Sequence, residues 1–246
     1  AVQCALAVAM PLHPHRWRRA GDVRTCVCCV AVGIIGTDSE GRVHEIEAEF
    51  WRCVESPDHT VRVLYGADLD THVVGSGFPV AEEVRKRFKS EDMPPPPPHL
   101  RAPGTRGGAP SPATAACASS AWNLNNIPFD TQSMLNFIEQ RVQGIMVPWL
   151  YLGMCFSSFA WHTEDHHLYS INYNHVGAPK VWYTVPASSR EGLERVMRDV
   201  LPDMFDAHPD LLFQLTTLVN PAQLESAGVP VYRCVQHAGE FVFAFP

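Results

Sequence analysis

Apolar residues in the second half of this chain recur mostly in short runs typical of β-strands. On a strand, successive side chains point to opposite faces, so residues two apart share a face. Turns are predicted at residues 66–68 and 175–178. Seven segments have a strand-like pattern: 26–35, 59–65, 149–155, 167–174, 179–185, 231–235 and 240–245.

Helical spacing of apolar residues is confined to a few segments. Residues 45–54 place Ile46, Phe50 and Val54 on one helical face. Short strands interrupted by helical segments favour a mainly β fold, a sandwich or jelly roll, over an α/β sheet. Three further helical segments are predicted: 131–142, capped by Asp130 or Thr131; 188–200, capped by Ser188; and 202–215, as one or two short helices.

An abrupt change of composition divides the chain. Five consecutive prolines begin at Pro94, and Ala, Gly, Ser and Pro dominate as far as residue 120. We predict an insertion over residues 94–120, with polyproline II followed by flexible coil. Residues 42–93 and 121–246 should pack together across it, since long surface insertions cost little loop entropy. Residues 1–41 have no assigned structure.

Composition narrows the possible function. The chain has 246 residues, 46% of them hydrophobic, which suffices for one well-packed domain. A formal net charge of −7 argues against direct nucleic-acid binding and suits a basic partner such as a Lys/Arg-rich peptide. No apolar run reaches the ~18–20 residues of a membrane span.

The eight cysteines lack the regular spacing of a disulfide framework. A reducing, intracellular compartment is the simpler interpretation. Cys26, Cys28 and Cys29, with His13 and His15, suggest a zinc site, and buried thiols are the alternative.

His162 and Glu164 are the first candidates for chemistry. In an extended segment the two side chains point to the same face and are able to bind one metal ion. A histidine and a carboxylate are two of the three ligands of the non-haem Fe(II) triad, which leaves positions open for a co-substrate and oxygen. His208 and Asp210 repeat the spacing in a proline-broken helical stretch, where the side chains would diverge.

The neighbouring strands add an anion site. Ser170 and Asn172 share one face, and Lys180 and Trp182 share a face of the next strand. A hairpin turning near residue 177 would put position 172 opposite 182 and 174 opposite 180. A buried lysine needs an anionic partner, which the carboxylate of a small co-substrate would supply. A metal ion beside a buried lysine that binds an anion is typical of 2-oxoglutarate-dependent oxygenases.

The block PWLYLGMCFSSFAWHTEDHHLYSINYNHVGAPKVWYTVP closely resembles the jumonji C (JmjC) domain of histone demethylases. The resemblance is nearest to the JARID-type subfamily, which acts on lysine 4 of histone H3. It extends to EFWRCVE, LYGADLDTHVVGSGFPV, WNLNNIP and GVPVYRCVQHAGEFVFAFP, and so covers roughly residues 42–246 apart from the insertion. The implied fold is the double-stranded β-helix, a cupin-like jelly roll with flanking helices.

The resemblance implies a role for nine residues. His162 and Glu164 match the first two iron ligands of the family. Ser170, Asn172 and Lys180 match the residues that hold 2-oxoglutarate, with Lys180 on its distal carboxylate. The remaining matches line the co-substrate pocket: Tyr65, Tyr151, Phe159 and Trp182.

The resemblance also implies a function, Fe(II)- and 2-oxoglutarate-dependent demethylation of a lysine on histone H3, with release of formaldehyde. The implied partners are the histone H3 tail and chromatin complexes, and the implied location is the nucleus. Two alternatives stay open: a JmjC hydroxylase of another side chain, and a non-catalytic chromatin-binding module. Asn174 and Val176 replace bulkier residues usual in the nearest subfamily, which leaves substrate specificity open.

The third iron ligand of the family is a histidine a few residues beyond the position that Pro246 occupies here. His237 falls at a variable position of the family and is not expected to replace it. The 246 residues alone are therefore expected to bind iron weakly and to show little or no turnover.

Overall fold

A computed structural model describes most of residues 40–245. The described residues are 4–6, 30–33, 40–56, 58, 60–80, 111–140, 142–207 and 218–245. Three sequence-based expectations lie outside them: the cysteine cluster at residues 26–29, the proline run that begins the insertion, and the pair His208 and Asp210.

Eight strands and six α-helices are described. The strands are β1 (Cys4–Leu6), β2 (Val30–Gly33), β3 (Tyr65–Asp70), β4 (Trp149–Gly153), β5 (Ser170–Val176), β6 (Lys180–Thr184), β7 (Tyr232–Gln236) and β8 (Phe241–Phe245). The helices are α1 (Glu40–Glu55), α2 (Thr71–Val74), α3 (Pro112–Ala118), α4 (Arg190–Val200), α5 (Pro202–Ala207) and α6 (Pro221–Ser226). Short 3-10 helices lie at Ile127–Phe129, Met134–Phe137, Asp165–His167 and Ala187–Ser189. No helix within these described stretches is both long and apolar enough to cross a membrane.

The strands form two sheets. Six of them make one sheet in the order β1-β8-β5-β2-β4-β3, and β6 pairs with β7 in a second sheet. The pairs are antiparallel except those of β2, which runs parallel to both β4 and β5. The prediction of a mainly β fold is confirmed, and the strands are mainly antiparallel, whereas the double-stranded β-helix stays a prediction.

The hairpin pairing predicted between residues 170–174 and 180–184 is wrong. β5 pairs with β8, so that Asn172 lies opposite Val242, and β6 pairs with β7, so that Lys180 lies opposite Gln236. The chain turns at Gly177, whose φ of +104° favours glycine, and β6 crosses into the second sheet. Side chains of β5 and β6 therefore meet across the two sheets rather than along one ladder.

The predicted strand at residues 59–65 is displaced along the chain. Residues 60–64 have no regular structure, and β3 begins at Tyr65. The predicted turn at residues 66–68 is an irregularity within β3, where the register to β4 shifts between Gly66 and Leu69 and Asp68 has a φ of +53°. A β-bulge of this kind bends a strand without ending it.

Two segments around the insertion also differ from expectation. The described residues of the helix predicted at 131–142 form no α-helix. The chain makes only a 3-10 turn at Met134–Phe137, capped by the Ser133 hydroxyl instead of Asp130 or Thr131. Met134 and Phe137 are 61% and 75% exposed, so the predicted apolar face is not buried. Flexible coil was predicted up to residue 120, yet α3 forms there with Ser111 as its cap.

The helices behind the second sheet form the largest described core. The helix predicted at 188–200 is present as α4, where Leu193 and Met197 are four residues apart and almost fully buried. They pack with Val185, which directly follows β6, and with Leu224 of α6. This core supports β6, the strand that carries Lys180 and Trp182.

Helix α1 confirms the helix predicted at 45–54, but its buried face differs from the predicted one. Val43 and Trp51 are buried, whereas Ile46 is 42% exposed. Glu47 of α1 accepts hydrogen bonds from the Tyr183 hydroxyl and from the Arg233 guanidinium, whose Nε and Nη2 lie 2.7 Å from its oxygens. One carboxylate thus attaches α1 to both strands of the second sheet.

The Glu47 carboxylate makes stability depend on pH. Burial alone raises its pKa, but the hydrogen bonds from Arg233 and Tyr183 and the charge of Arg233 outweigh burial and hold the pKa below its ordinary value. A depressed carboxyl pKa stabilises the fold above the pKa of the unfolded chain, and this stability is lost as pH falls through the folded-state pKa.

We expect Glu47→Gln to lower the free energy of unfolding by about 2 kcal/mol at pH 7, the usual worth of charged hydrogen bonds. The difference from the unsubstituted protein should shrink as pH falls below the ordinary carboxyl pKa of 4.5. Urea unfolding across pH 3–7 measures both effects. Glu225→Gln, at the exposed end of α6, is the matched control. A difference that stays constant with pH would contradict the assignment.

Candidate metal and co-substrate site

His162 and Glu164 lie in an extended segment between β4 and β5, and their side chains approach each other. His162 Nε2 is 3.8 Å from Glu164 Oε1. His162 Nδ1 is 2.8 Å from the carbonyl oxygen of Ala160. Because a carbonyl only accepts, Nδ1 carries a proton, and Nε2 is the nitrogen that faces Glu164. A backbone contact of this kind commonly orients a metal-binding histidine.

The pKa of Glu164 lies below its ordinary value. Burial alone would raise it, but the nearby imidazole of His162 and a hydrogen bond from the Ser170 hydroxyl outweigh burial. A carboxylate that stays ionised while it is largely buried is suited to binding a cation.

The predicted anion site lies beside this pair. Lys180 Nζ is 3.2 Å from Asn172 Oδ1, which joins β6 to β5 through their side chains. Ser170 and Asn172 are 8% and 5% exposed. The Asn172 Nδ2 group is buried and has no hydrogen-bond partner in the described structure. A buried donor without a partner costs free energy, which an anionic ligand would recover.

Four aromatic side chains pack together beside Lys180. Phe159 packs edge-on against Tyr65 and Tyr151, with ring centroids 5.8 and 5.2 Å apart, and lies parallel to Trp182 at 6.2 Å. Lys180 Nζ lies 5.5 Å from the centroid of the Phe159 ring and 5.7 Å from that of Trp182. These rings make an apolar wall in which the ammonium group is partly desolvated.

One cavity of about 330 Å³ gathers these side chains. Eight of the nine predicted site residues line it: Tyr65, Tyr151, Phe159, His162, Glu164, Ser170, Lys180 and Trp182. Asn172 does not line the cavity and reaches it through Lys180. The structure therefore brings together residues from β3, β4, β5, β6 and the extended segment between β4 and β5.

Sequence reasoning missed several residues of the cavity. Phe50 and Trp51 of α1 line it together with Tyr183 of β6, and Trp51 Nε1 donates to the Tyr183 hydroxyl at 2.9 Å. Asp68 supports the wall from β3, because its carboxylate accepts a hydrogen bond from the Tyr151 hydroxyl. Each of these residues lies in a block that resembles the JmjC family, but none of those blocks carried information about what the side chains contact.

The donors present fit part of a metal site. An imidazole with its Nε2 directed at an ionised carboxylate matches two positions of a two-histidine, one-carboxylate triad. Among the described residues, no group of three or more His, Cys, Asp or Glu side chains is close enough to hold a metal ion. His237 begins the turn between β7 and β8, is exposed, and does not join the pair. The expected third ligand beyond Pro246 stays a prediction.

Residues 149–246 match the family described as JmjC domain, hydroxylase. The chain is 48% identical over 209 residues to lysine-specific demethylase JMJ703 of Oryza sativa subsp. japonica and 47% identical over 207 residues to putative lysine-specific demethylase JMJ16 of Arabidopsis thaliana. It is 47% identical over 201 residues to lysine-specific demethylase 5D of Homo sapiens.

These alignments cover most of this chain and little of the relatives. They span 85%, 84% and 82% of the chain but 15%, 15% and 12% of the three relatives, in the same order. The likeness extends well beyond the matched domain, since it includes residues on the N-terminal side of position 149. Residues 149–246 therefore belong to the JmjC domain family, in a chain whose relatives are named lysine-specific demethylases.

Proposed function

We propose that this chain carries the catalytic core of an Fe(II)- and 2-oxoglutarate-dependent demethylase that acts on methylated lysine 4 of the histone H3 tail. The observation that carries the proposal is one cavity in which a carboxylate and an imidazole oriented by the backbone lie beside a half-buried lysine. The relatives named lysine-specific demethylases support lysine demethylation. The likeness to the JARID-type subfamily supports lysine 4. A histone substrate implies a nuclear protein that works in chromatin complexes.

His162 and Glu164 would hold the iron, together with a third ligand from outside the described residues. Lys180 would pair with the distal carboxylate of 2-oxoglutarate, Ser170 would donate a hydrogen bond to it, and Asn172 would help to hold it through its contact with Lys180. Bound in this way, Fe(II) and 2-oxoglutarate supply, with O2, the oxidising chemistry that hydroxylates a C–H bond. The protein contributes orientation and a pocket from which water is excluded.

The aromatic walls suit a methylated ammonium. Tyr65, Tyr151, Phe159 and Trp182 present rings to the cavity, and ring faces attract alkylated cations. Hydroxylation of an N-methyl carbon gives a product that falls apart to formaldehyde and a lysine with one methyl group fewer. The reaction does not require a lone pair on the nitrogen, so trimethyl-lysine qualifies as a substrate. The net charge of −7 favours encounter with a basic tail.

The test is formaldehyde release by the full-length gene product from an H3 tail peptide trimethylated at lysine 4. We expect release that depends on both Fe(II) and 2-oxoglutarate, and a matching loss of methyl groups in the mass spectrum of the peptide. The same peptide trimethylated at a different lysine is the matched control for site preference.

Two outcomes would overturn the proposal. A peptide that gains oxygen without losing methyl groups would identify a hydroxylase of another side chain. Peptide binding without consumption of 2-oxoglutarate would identify a non-catalytic chromatin-binding module. Equal formaldehyde release from the control peptide would overturn the assignment to lysine 4 but would still support demethylase activity.

A further inference from the structure

A buried carboxamide joins the two sheets beside the cavity. Gln236, the last residue of β7, is 1% exposed. Its Oε1 accepts a hydrogen bond from Trp182 Nε1 at 2.9 Å. Its Nε2 donates to the carbonyl oxygens of Asn172 at 3.2 Å and Glu240 at 2.9 Å. The side chain thus uses both ends of its amide inside the protein, and it contacts two of the predicted site residues.

A second buried amide holds the same junction from β5. Asn174 is 0% exposed, and its Nδ2 lies 3.4 Å from the Gln236 carbonyl oxygen and 3.2 Å from that of Ala178. Strand β5 therefore contacts both the backbone of Gln236, through Asn174, and its side chain, through Asn172, while Trp182 of β6 contacts the same side chain. A polar group this deeply buried keeps a single orientation, because any other would leave hydrogen-bonding groups unpaired.

The junction matters because the predicted co-substrate groups lie on different sheets. Ser170 and Asn172 are on β5, Lys180 and Trp182 are on β6, and among the described strands no backbone ladder joins β5 to β6. Their separation is set by side chains that cross between the sheets. Gln236 lies directly opposite Lys180 in the pairing of β6 with β7. Its side chain reaches from this second sheet to the backbone of Asn172 in β5.

We propose that Gln236 is a positioning residue for binding of the co-substrate. It fixes the indole of Trp182 and keeps β6 at the distance from β5 at which Lys180 and Asn172 act on one carboxylate. The assignment rests on the proposed function, since it concerns the binding of 2-oxoglutarate. Gln236 itself does not line the cavity, so its effect passes through Trp182 and the backbone of Asn172.

The test compares 2-oxoglutarate binding by isothermal titration calorimetry in the full-length gene product loaded with Mn(II), which permits binding without turnover. Gln236→Met keeps the length and bulk of the side chain and removes its hydrogen bonds. We expect the Kd for 2-oxoglutarate to rise about tenfold, because the indole donor and the carbonyl acceptors lose their fixed partner. Gln223→Met, at an exposed glutamine of α6, is the matched control and should leave the Kd unchanged.

Two further variants separate positioning from folding. Gln236→Asn keeps the amide but withdraws it from the indole by one methylene. It should also raise the Kd severalfold even if Gln236→Met fails to fold. Trp182→Phe retains a ring but removes the donor. In the Trp182→Phe background, Gln236→Met should raise the Kd for 2-oxoglutarate by a clearly smaller factor than it does in the otherwise unsubstituted protein, because the two substitutions break the same hydrogen bond.

The outcomes distinguish this inference from the proposed function. Absence of 2-oxoglutarate binding by the unsubstituted protein would overturn both. Binding by the unsubstituted protein with an unchanged Kd in Gln236→Asn, or in a folded Gln236→Met, would overturn the positioning role alone. Additive effects of Gln236→Met and Trp182→Phe would overturn the route through Trp182. A lowered melting temperature with unchanged Kd would assign Gln236 to stability only.

Discussion

His162→Ala is expected to abolish formaldehyde release by the full-length gene product. The side chain supplies the nitrogen that faces Glu164, and no other imidazole among the described residues joins that pair. Loss of an outer partner of a metal ligand costs ~10–100-fold in affinity, so loss of the ligand itself should cost more. The measurement is formaldehyde release from the trimethylated peptide, with a parallel titration of Fe(II) in the absence of oxygen.

His237→Ala is the matched control for this substitution. His237 is exposed, and its contact with Glu240 is made by the backbone nitrogen, which alanine retains. We expect its iron affinity and its activity to match those of the unsubstituted protein. Activity that survives in His162→Ala would contradict the ligand assignment. Activity lost in His237→Ala would show instead that the turn between β7 and β8 carries a ligand.

Lys180→Met should mainly raise the requirement for 2-oxoglutarate. Methionine keeps most of the aliphatic length between Phe159 and Trp182 and removes the charge. Removing one partner of a buried charge pair costs about 3 kcal/mol, which corresponds to a rise in KM for 2-oxoglutarate on the order of 100-fold. The kcat at saturating 2-oxoglutarate should fall much less, since Lys180 does not contact the reacting carbon of the substrate in this assignment.

Arg195→Met is the matched control for the loss of a positive charge. Arg195 is an exposed cation on α4 outside the cavity lining, and its substitution should leave KM unchanged. A Lys180→Met variant whose kcat falls while its KM stays constant would contradict the role of an anion anchor. Such a result would indicate that Lys180 acts on the reaction itself or on the orientation of Trp182.

Much of the candidate site could be predicted from sequence because its pattern is local. The pairing of His162 with Glu164 requires only that two residues be separated by one in an extended chain. The same rule predicts that Ser170 and Asn172 share a face of one strand. It predicts likewise that Lys180 and Trp182 share a face of the next. The ends of strands β4 to β8 differ from the ends of the predicted segments by at most three residues, because alternation is a property of consecutive residues.

The residues that support the site could not be predicted in the same way. Glu47 contacts Arg233, 186 positions along the chain, and Gln236 contacts Asn172, 64 positions away. Apart from being polar residues near apolar ones, they carry no pattern in the sequence. The strand at residues 59–65 was misplaced for a related reason, because the bulge at Asp68 depends on pairing with β4.

Alternation along the chain is enough to predict that one imidazole and one carboxylate share a face, and that two polar strand faces follow them. That these faces belong to different sheets and meet through Lys180, Asn172 and Gln236 follows from long-range packing. Spacing along a strand is set by covalent geometry. The choice of partner strand is set by which distant segments together bury their apolar faces while satisfying their polar groups.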